Sequence, residues 1–182
     1  FVTGGGGGIY TWRGYLYMTG TTVAFNQIGE AVSSSFLSGA GGGILSFDGV
    51  ISAKRVSVWG NIARSVGGGI YLEEAGPTSA HALVDLENTT VAMNEAQGGS
   101  GGGVLISSYR LGAKLHHSTI TGNMSALEGA GIVFLGPSQP LELFSSIVAD
   151  NVLSTTGAGS DCRGLVRSLG SNLVRNVPAS CN

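Results

Sequence analysis

Apolar and polar residues alternate along this chain in short stretches, and the alternation keeps its phase when counted back from asparagines that close similar runs. The runs are TTVAFN at Asn26, VSVWGN at Asn61, TTVAMN at Asn94, STITGN at Asn123 and SIVADN at Asn151. Three residues before each Asn stand Val23, Val58, Val91, Ile120 and Val148; eight before stand Met18, Ala53, Leu86, Leu115 and Leu143; ten before stand Leu16, Ile51, Val84, Ala113 and Leu141. The columns between are different: Tyr17, Ser52, Asp85, Lys114 and Glu142, then Thr19, Lys54, Glu87, His116 and Phe144. A period of two predicts a strand with one face inward and the other in water.

A second block recurs out of phase with the first. Gly6 to Ile9, Gly41 to Ile44, Gly67 to Ile70, Gly101 to Val104 and, with one Ala, Gly129 to Ile132 are spaced by 35, 26, 34 and 28 residues. Strand-like segments of fixed length joined by variable corners describe an all-β solenoid with coils of about 30 residues, about five to six of them in one domain over 1–182. Stacked strands lie about 4.8 Å apart, so the sign alternation Asp85, Lys114, Glu142 and Lys54, Glu87 is attractive from coil to coil. Asn tolerates left-handed torsions, which a sharp corner needs, and stacked amides can bond to one another. Asn26, Asn61, Asn94, Asn123 and Asn151 are therefore expected to form an inward ladder at a left-handed corner. Asn88-Thr-Thr and Asn123-Met-Ser also match the glycosylation sequon; for Asn123 the ladder role takes precedence.

Composition narrows the function classes. Glycine supplies 32 of 182 residues, more than twice its usual share of about 7%. It has no period of three, which excludes collagen, and a chain with 42% hydrophobic residues is too apolar for disorder. A net charge of −2 gives no surface that would track nucleic-acid phosphates. No apolar stretch is long enough for a transmembrane segment. The chain opens on Phe1 with no charged-then-apolar leader and reads as a processed or excised segment. Cys162 and Cys181, 19 apart and without CxxC spacing, read as a disulfide closing a C-terminal cap over 162–181, which points to an oxidising compartment; two free buried thiols are the alternative.

With these blocks the chain resembles the right-handed parallel β-helix of the pectin-lyase-like type, and in particular bacterial secreted and outer-membrane proteins with GGGI and Asn-ending repeats and autotransporter-type passengers. The segment SSIVADN followed by SDCRGLVRSLGSNLV and a last Cys is similar to the end of such helices, where a Cys-containing loop follows the final coil. The resemblance implies a single-stranded right-handed coil and an extracellular or cell-surface location in bacteria. It implies little about activity, because that fold carries lyases, hydrolases, adhesins and spacers alike.

Candidate surfaces follow from the register. If the Ile of each glycine block faces inward, Tyr10, Leu45, Tyr71, Leu105 and Val133, together with Trp12 and Phe47, form an outward apolar and aromatic face suited to sugar stacking or subunit packing. At the next corner stand Arg13, Asp48 and Glu74, with Glu73 adjacent. Carboxylates beside an Arg are the ingredients of a polysaccharide lyase or hydrolase, although an Arg13–Asp48 surface ion pair explains two of them more simply. His116 and His117 are expected on opposite sides of a strand and His81 is isolated, so no metal site and no cofactor are expected. The segment before each Asn exposes Thr22, Ser57, Thr90 and Thr119, a flat face suited to lateral packing. The sequence thus points to a non-catalytic extracellular structural or adhesive solenoid: a stalk, an adhesin passenger or a filament subunit. Its partners would be further copies of itself, end to end or laterally, or a cell-surface carbohydrate. A carbohydrate-active enzyme or a carbohydrate-binding module is the competing reading.

Overall fold

A computed structural model describes residues 6–29, 39–76, 83–109, 112–136 and 139–181. The predicted alternation resolves into four parallel sheets, each taking every fourth strand of the chain. The first sheet stacks Ile9–Trp12, Ile44–Phe47, Ile70–Glu73, Val104–Ser107, Ile132–Phe134 and Cys162–Gly164. The second stacks Tyr15–Thr19, Val50–Lys54, Leu83–Glu87, Ala113–His116, Leu141–Phe144 and Val166–Ser168. The third stacks Thr22–Ala24, Ser57–Trp59, Thr90–Ala92, Thr119–Thr121, Ile147–Ala149 and Leu173–Val174; the fourth, of two-residue strands, runs from Gln27–Ile28 to Val152–Leu153. No helix occurs among the described residues.

The result is a parallel β-solenoid whose body is about four turns, those beginning at Ile44, Ile70, Val104 and Ile132. The expected five to six coils overcount it slightly. The turn beginning at Ile9 is only partly buried, and the layer beginning at Cys162 has three strands and no fourth. The inward columns meet in one apolar core containing Ile44, Ile70, Val104 and Ile132 from the first sheet, Leu86 and Leu115 from the second, and Val58, Val91 and Ile120 from the third. That burial is the main stabilising term of the fold.

The asparagines form a continuous ladder. Asn26 Nδ2 donates to Asn61 Oδ1 at 3.0 Å, Asn61 to Asn94 at 2.9 Å, Asn94 to Asn123 at 3.0 Å and Asn123 to Asn151 at 2.8 Å. Each receiving oxygen also accepts the backbone N–H of the Asn one turn earlier. From Asn61 onward the amides are fully buried. Their backbone is not left-handed, which corrects the expected reason for Asn at this corner. The residue before each one turns the chain instead: Phe25, Gly60, Met93, Gly122 and Asp150 have φ of 56°, 63°, 54°, 63° and 60°. This frees the Asn side chain to point into the core while its neighbour makes the bend.

A second polar seam lies at the corner between the second and third sheets. Thr89 N–H donates to Ser118 Oγ and Ser118 N–H to Ser146 Oγ, each at 3.2 Å, and Ser146 N–H donates to Asn172 Oδ1 at 2.8 Å. The three hydroxyls donate in turn to Ala53, Leu86 and Leu115 carbonyls one turn earlier. The glycine blocks are needed for close approach: a Cβ on Gly69 would lie 2.6 Å from the Gly103 carbonyl oxygen.

The cysteines are joined as a disulfide with Cα atoms 5.5 Å apart. Cys162 sits in the last strand of the first sheet, and Cys181 returns to bridge in parallel with Gly164. Among the described residues no helix is long and apolar enough to cross a membrane.

Candidate functional site

The outward face of the first sheet is not the open stripe expected. Leu45, Tyr71, Leu105 and Val133 are buried in a second apolar cluster with Ala40, against which Tyr10, Phe47 and Val66 pack. The left-handed glycine before each strand makes the chain double back over the outward side chain: a Cβ on Gly67 would stand 2.5 Å from that of Tyr71, and one on Gly101 would stand 2.6 Å from that of Leu105. What stays open is the next column. There Trp12, Phe47, Glu73 and Ser107 lie side by side on successive turns. Trp12 is 48% exposed, and its ring stacks on Phe47 with centroids 4.7 Å apart.

Beside that column a shallow cleft of about 380 Å³ is lined by Val66, Tyr71, Glu73, Leu105, Ser107 and Leu135 among others. Tyr71 OH donates to Glu73 Oε2. Burial holds the Glu73 carboxyl above the usual carboxylate range; hydrogen bonds with Tyr71 and Ser107 offset part of that and the charge of Glu74 adds to it. Burial likewise pushes the Tyr71 phenol up, reinforced by its hydrogen bond to Glu73 and that carboxyl's charge. The pair therefore favours a neutral phenol beside a carboxyl that takes up a proton more readily than usual.

The other three candidates are not gathered into this cleft. Glu74, the next residue, is buried, and its Oε2 accepts bonds from the Ser108 hydroxyl and the Tyr109 N–H. Asp48 Oδ2 pairs with Arg13 Nε at 3.1 Å, and Asp48 Oδ1 is buried without a hydrogen-bond partner among the described residues. Arg13 and Asp48 occupy left-handed corners with φ of 51° and 56°. The arrangement sets one carboxyl, Glu73, in an open cleft and uses the others within the wall.

His116 and His117 do not point to opposite sides. His117 stands at a left-handed corner with φ 52°, and both rings approach Phe144 edge-on, with centroids 6.1 and 5.5 Å away. His81 lies outside the described residues. Among the described residues no group of three or more His, Cys, Asp or Glu side chains could hold a metal ion.

The second sheet carries the alternating charges outward. Asp85 lies beside Lys114, Lys114 beside Glu142, and Glu142 beside Arg167, a fourth member the repeat count does not reach. Lys54 Nζ lies 2.8 Å from Glu87 Oε1, and that bonded ammonium holds the Glu87 carboxyl below its usual range. At the left-handed corner bordering the third sheet Phe25 packs edge-on to Trp59 at 4.3 Å, and Phe25 and Met93 are 71% and 69% exposed, so large side chains flank the Thr column.

Two features escaped the sequence reading. One is Asp161, fully buried, which accepts Asn151 Nδ2 at 2.7 Å and Asn151 N–H at 2.9 Å on Oδ1 and Asn176 N–H at 2.7 Å on Oδ2, closing the ladder. No count back from an Asn would find it. The other is the hydroxyl seam, whose signal was present: Thr89, Ser118 and Ser146 each stand five residues before an Asn of the ladder. No protein-family model matches the sequence, and searches of curated proteins and of solved structures find no match.

Proposed function

We propose that this solenoid is an exported structural element, a stalk, adhesin passenger or filament subunit that works through its lateral faces and its ends. The observation that carries this reading is how the buried polar side chains are used: the Asn ladder, its Asp161 terminus and the hydroxyl seam all bond one turn to the next. Such bonding makes a stiff rod. The disulfide supports an oxidising, extracellular or cell-surface setting, and the likeness of the repeats to pectin-lyase-like β-helices of secreted bacterial proteins supports a bacterial one. Self-association with further copies is the expected mode of action.

The experiment is light scattering with negative-stain imaging over a range of concentrations, alongside assays for polysaccharide cleavage. Rods that associate and cleave nothing support the reading. Cleavage that disappears in Glu73→Gln, at the candidate carboxyl that lines the open cleft, overturns it.

A carbohydrate-binding role is the second reading, favoured by the open row Trp12, Phe47, Glu73 and Ser107, in which an aromatic stack adjoins a carboxyl and a hydroxyl. It expects retention on a polysaccharide matrix that Trp12→Ala abolishes.

A further inference from the structure

The outward row of the second sheet reads minus, plus, minus, plus: Asp85, Lys114, Glu142 and Arg167 on successive turns. Within one copy each charge stands beside a neighbour of opposite sign. Arg167 Nη1 lies 3.6 Å from Glu142 Oε1, and the Arg167 side chain stays 63% exposed.

We propose that this face docks a second copy of the chain, laid against it head to foot, which deepens the self-association reading above and rests on it. Charge symmetry selects this arrangement. Rotation by a half-turn about an axis along the strands, lying between the two faces at a level between Lys114 and Glu142, sets Asp85 against Arg167 of the second copy and Lys114 against its Glu142. A second copy running the same way, related by an axis along the solenoid, would set each charge against itself. A row of the form plus, minus, minus, plus would do the same even head to foot.

The half-turn preserves position along the strand, so the flanking columns face themselves as well. On one side Leu83, which with Pro140 lines an open trough of about 390 Å³, meets Leu165, which is 42% exposed. On the other side His116 meets Phe144, which is 38% exposed and already takes His rings edge-on within one copy. No like charges oppose one another among these positions. The face is only a few residues wide, so the dimer is expected to be weak and readable between about 10 µM and about 1 mM.

The test is sedimentation velocity over that range. Asp85→Lys opposes two cations at each of two symmetric contacts, and Arg167→Glu opposes two anions. Each variant alone should weaken association at least about tenfold. An equal mixture of the two should restore it, because the ammonium introduced in one variant then meets the carboxylate introduced in the other across the interface. Lys114→Glu mixed with Glu142→Lys applies the same swap at the centre, should either outer variant fail to melt cooperatively. A wild-type chain that stays monomeric throughout overturns both this interface and the self-association reading. Association that persists in the single variants, or that the mixture does not restore, overturns this face and leaves self-association standing.

Discussion

Asn151 donates its side-chain amide to Asp161 at 2.7 Å, so the amide ladder that runs through the body ends on a carboxyl group whose other oxygen holds the Asn176 N–H. Two buried donors of Asn151 and the half-buried N–H of Asn176 converge on one side chain. Asp161→Ala leaves the Asn151 and Asn176 backbone N–H groups without an acceptor, while the Asn151 side-chain amide keeps the Ile120 and Ala149 carbonyls, and should cost about 2–3 kcal/mol in urea unfolding. Asp161→Asn keeps one oxygen and brings an NH₂ group against a donor, so an intermediate loss is expected. Equal stability of wild type and Asp161→Ala would mean the ladder does not need its terminus.

Position along the ladder should set the cost of breaking it. Asn94 is fully buried, donates to Asn123 and to the Val58 carbonyl, and accepts two N–H groups from Asn61. Asn26, at the partly buried first turn, donates its side-chain amide only to Asn61 among the described residues. Asn94→Ala should therefore destabilise by about 2–4 kcal/mol and Asn26→Ala by about 1 kcal/mol, compared by the same unfolding measurement.

Glycines with unlike surroundings give a second contrast. Gly20 has φ 58° with nothing within 4 Å of an added Cβ, so Gly20→Ala should cost only the left-handed strain, about 1 kcal/mol. On Gly69 the added Cβ would lie 2.6 Å from one carbonyl oxygen and 3.0 Å from Asn94 Nδ2. Gly69→Ala should cost several times more, or prevent folding, as judged by circular dichroism and melting temperature.

Glu73 gives a pH dependence of definite sign. Its folded-state pKa is raised, chiefly by burial. The associated stability is complete below the unfolded-state value and is lost as pH rises through the folded-state one. Glu73→Gln cannot titrate, so the wild type should lose stability relative to the variant as pH rises above the ordinary carboxylate value of about 4. Glu87, whose pKa is lowered by Lys54, contributes the opposite slope to both proteins and drops out of the difference. Denaturant unfolding at several pH values measures this; a difference that stays constant across those values would contradict the raised pKa.

Reducing the disulfide should loosen the last layer first. The bond closes a loop with a sequence separation of 19, worth about 3 kcal/mol on a chain-entropy argument. Hydrogen exchange at Asn176, whose N–H is held by Asp161, should accelerate before exchange at Asn94. Simultaneous loss of protection at both would mean that the cap and the body unfold as one unit.

The fold was legible because a solenoid writes the same constraint into the sequence once per turn. Val23, Val58, Val91, Ile120 and Val148 all reach the core or its edge because each meets its equivalent one strand away. The outward face of the first sheet was not legible for the opposite reason. Period-two alternation assigns Leu45 and Tyr71 to the side away from the core, and it is silent about the chain bending back over them from Gly41 and Gly67. Glu73 and Glu74 were likewise paired by adjacency, although the strand ends between them: Glu73, its last residue, lines a cleft, and Glu74, at the corner, joins Ser108 inside the wall. Asp161 was missed because its role depends on the loop that carries it and not on the repeat.

The ladder also makes the molecule a ruler. Every step of the Asn ladder is bonded like every other, so a duplicated or deleted coil would lengthen or shorten the rod by one graduation of about 4.8 Å and leave the remaining ladder steps unaltered. The scale has a direction, since all five amides donate the same way. It also has a terminal mark, because Asp161 accepts on both oxygens and passes no donor onward. Coils inserted ahead of that mark would preserve the ladder's chemistry, and coils added beyond it would have to begin a new one.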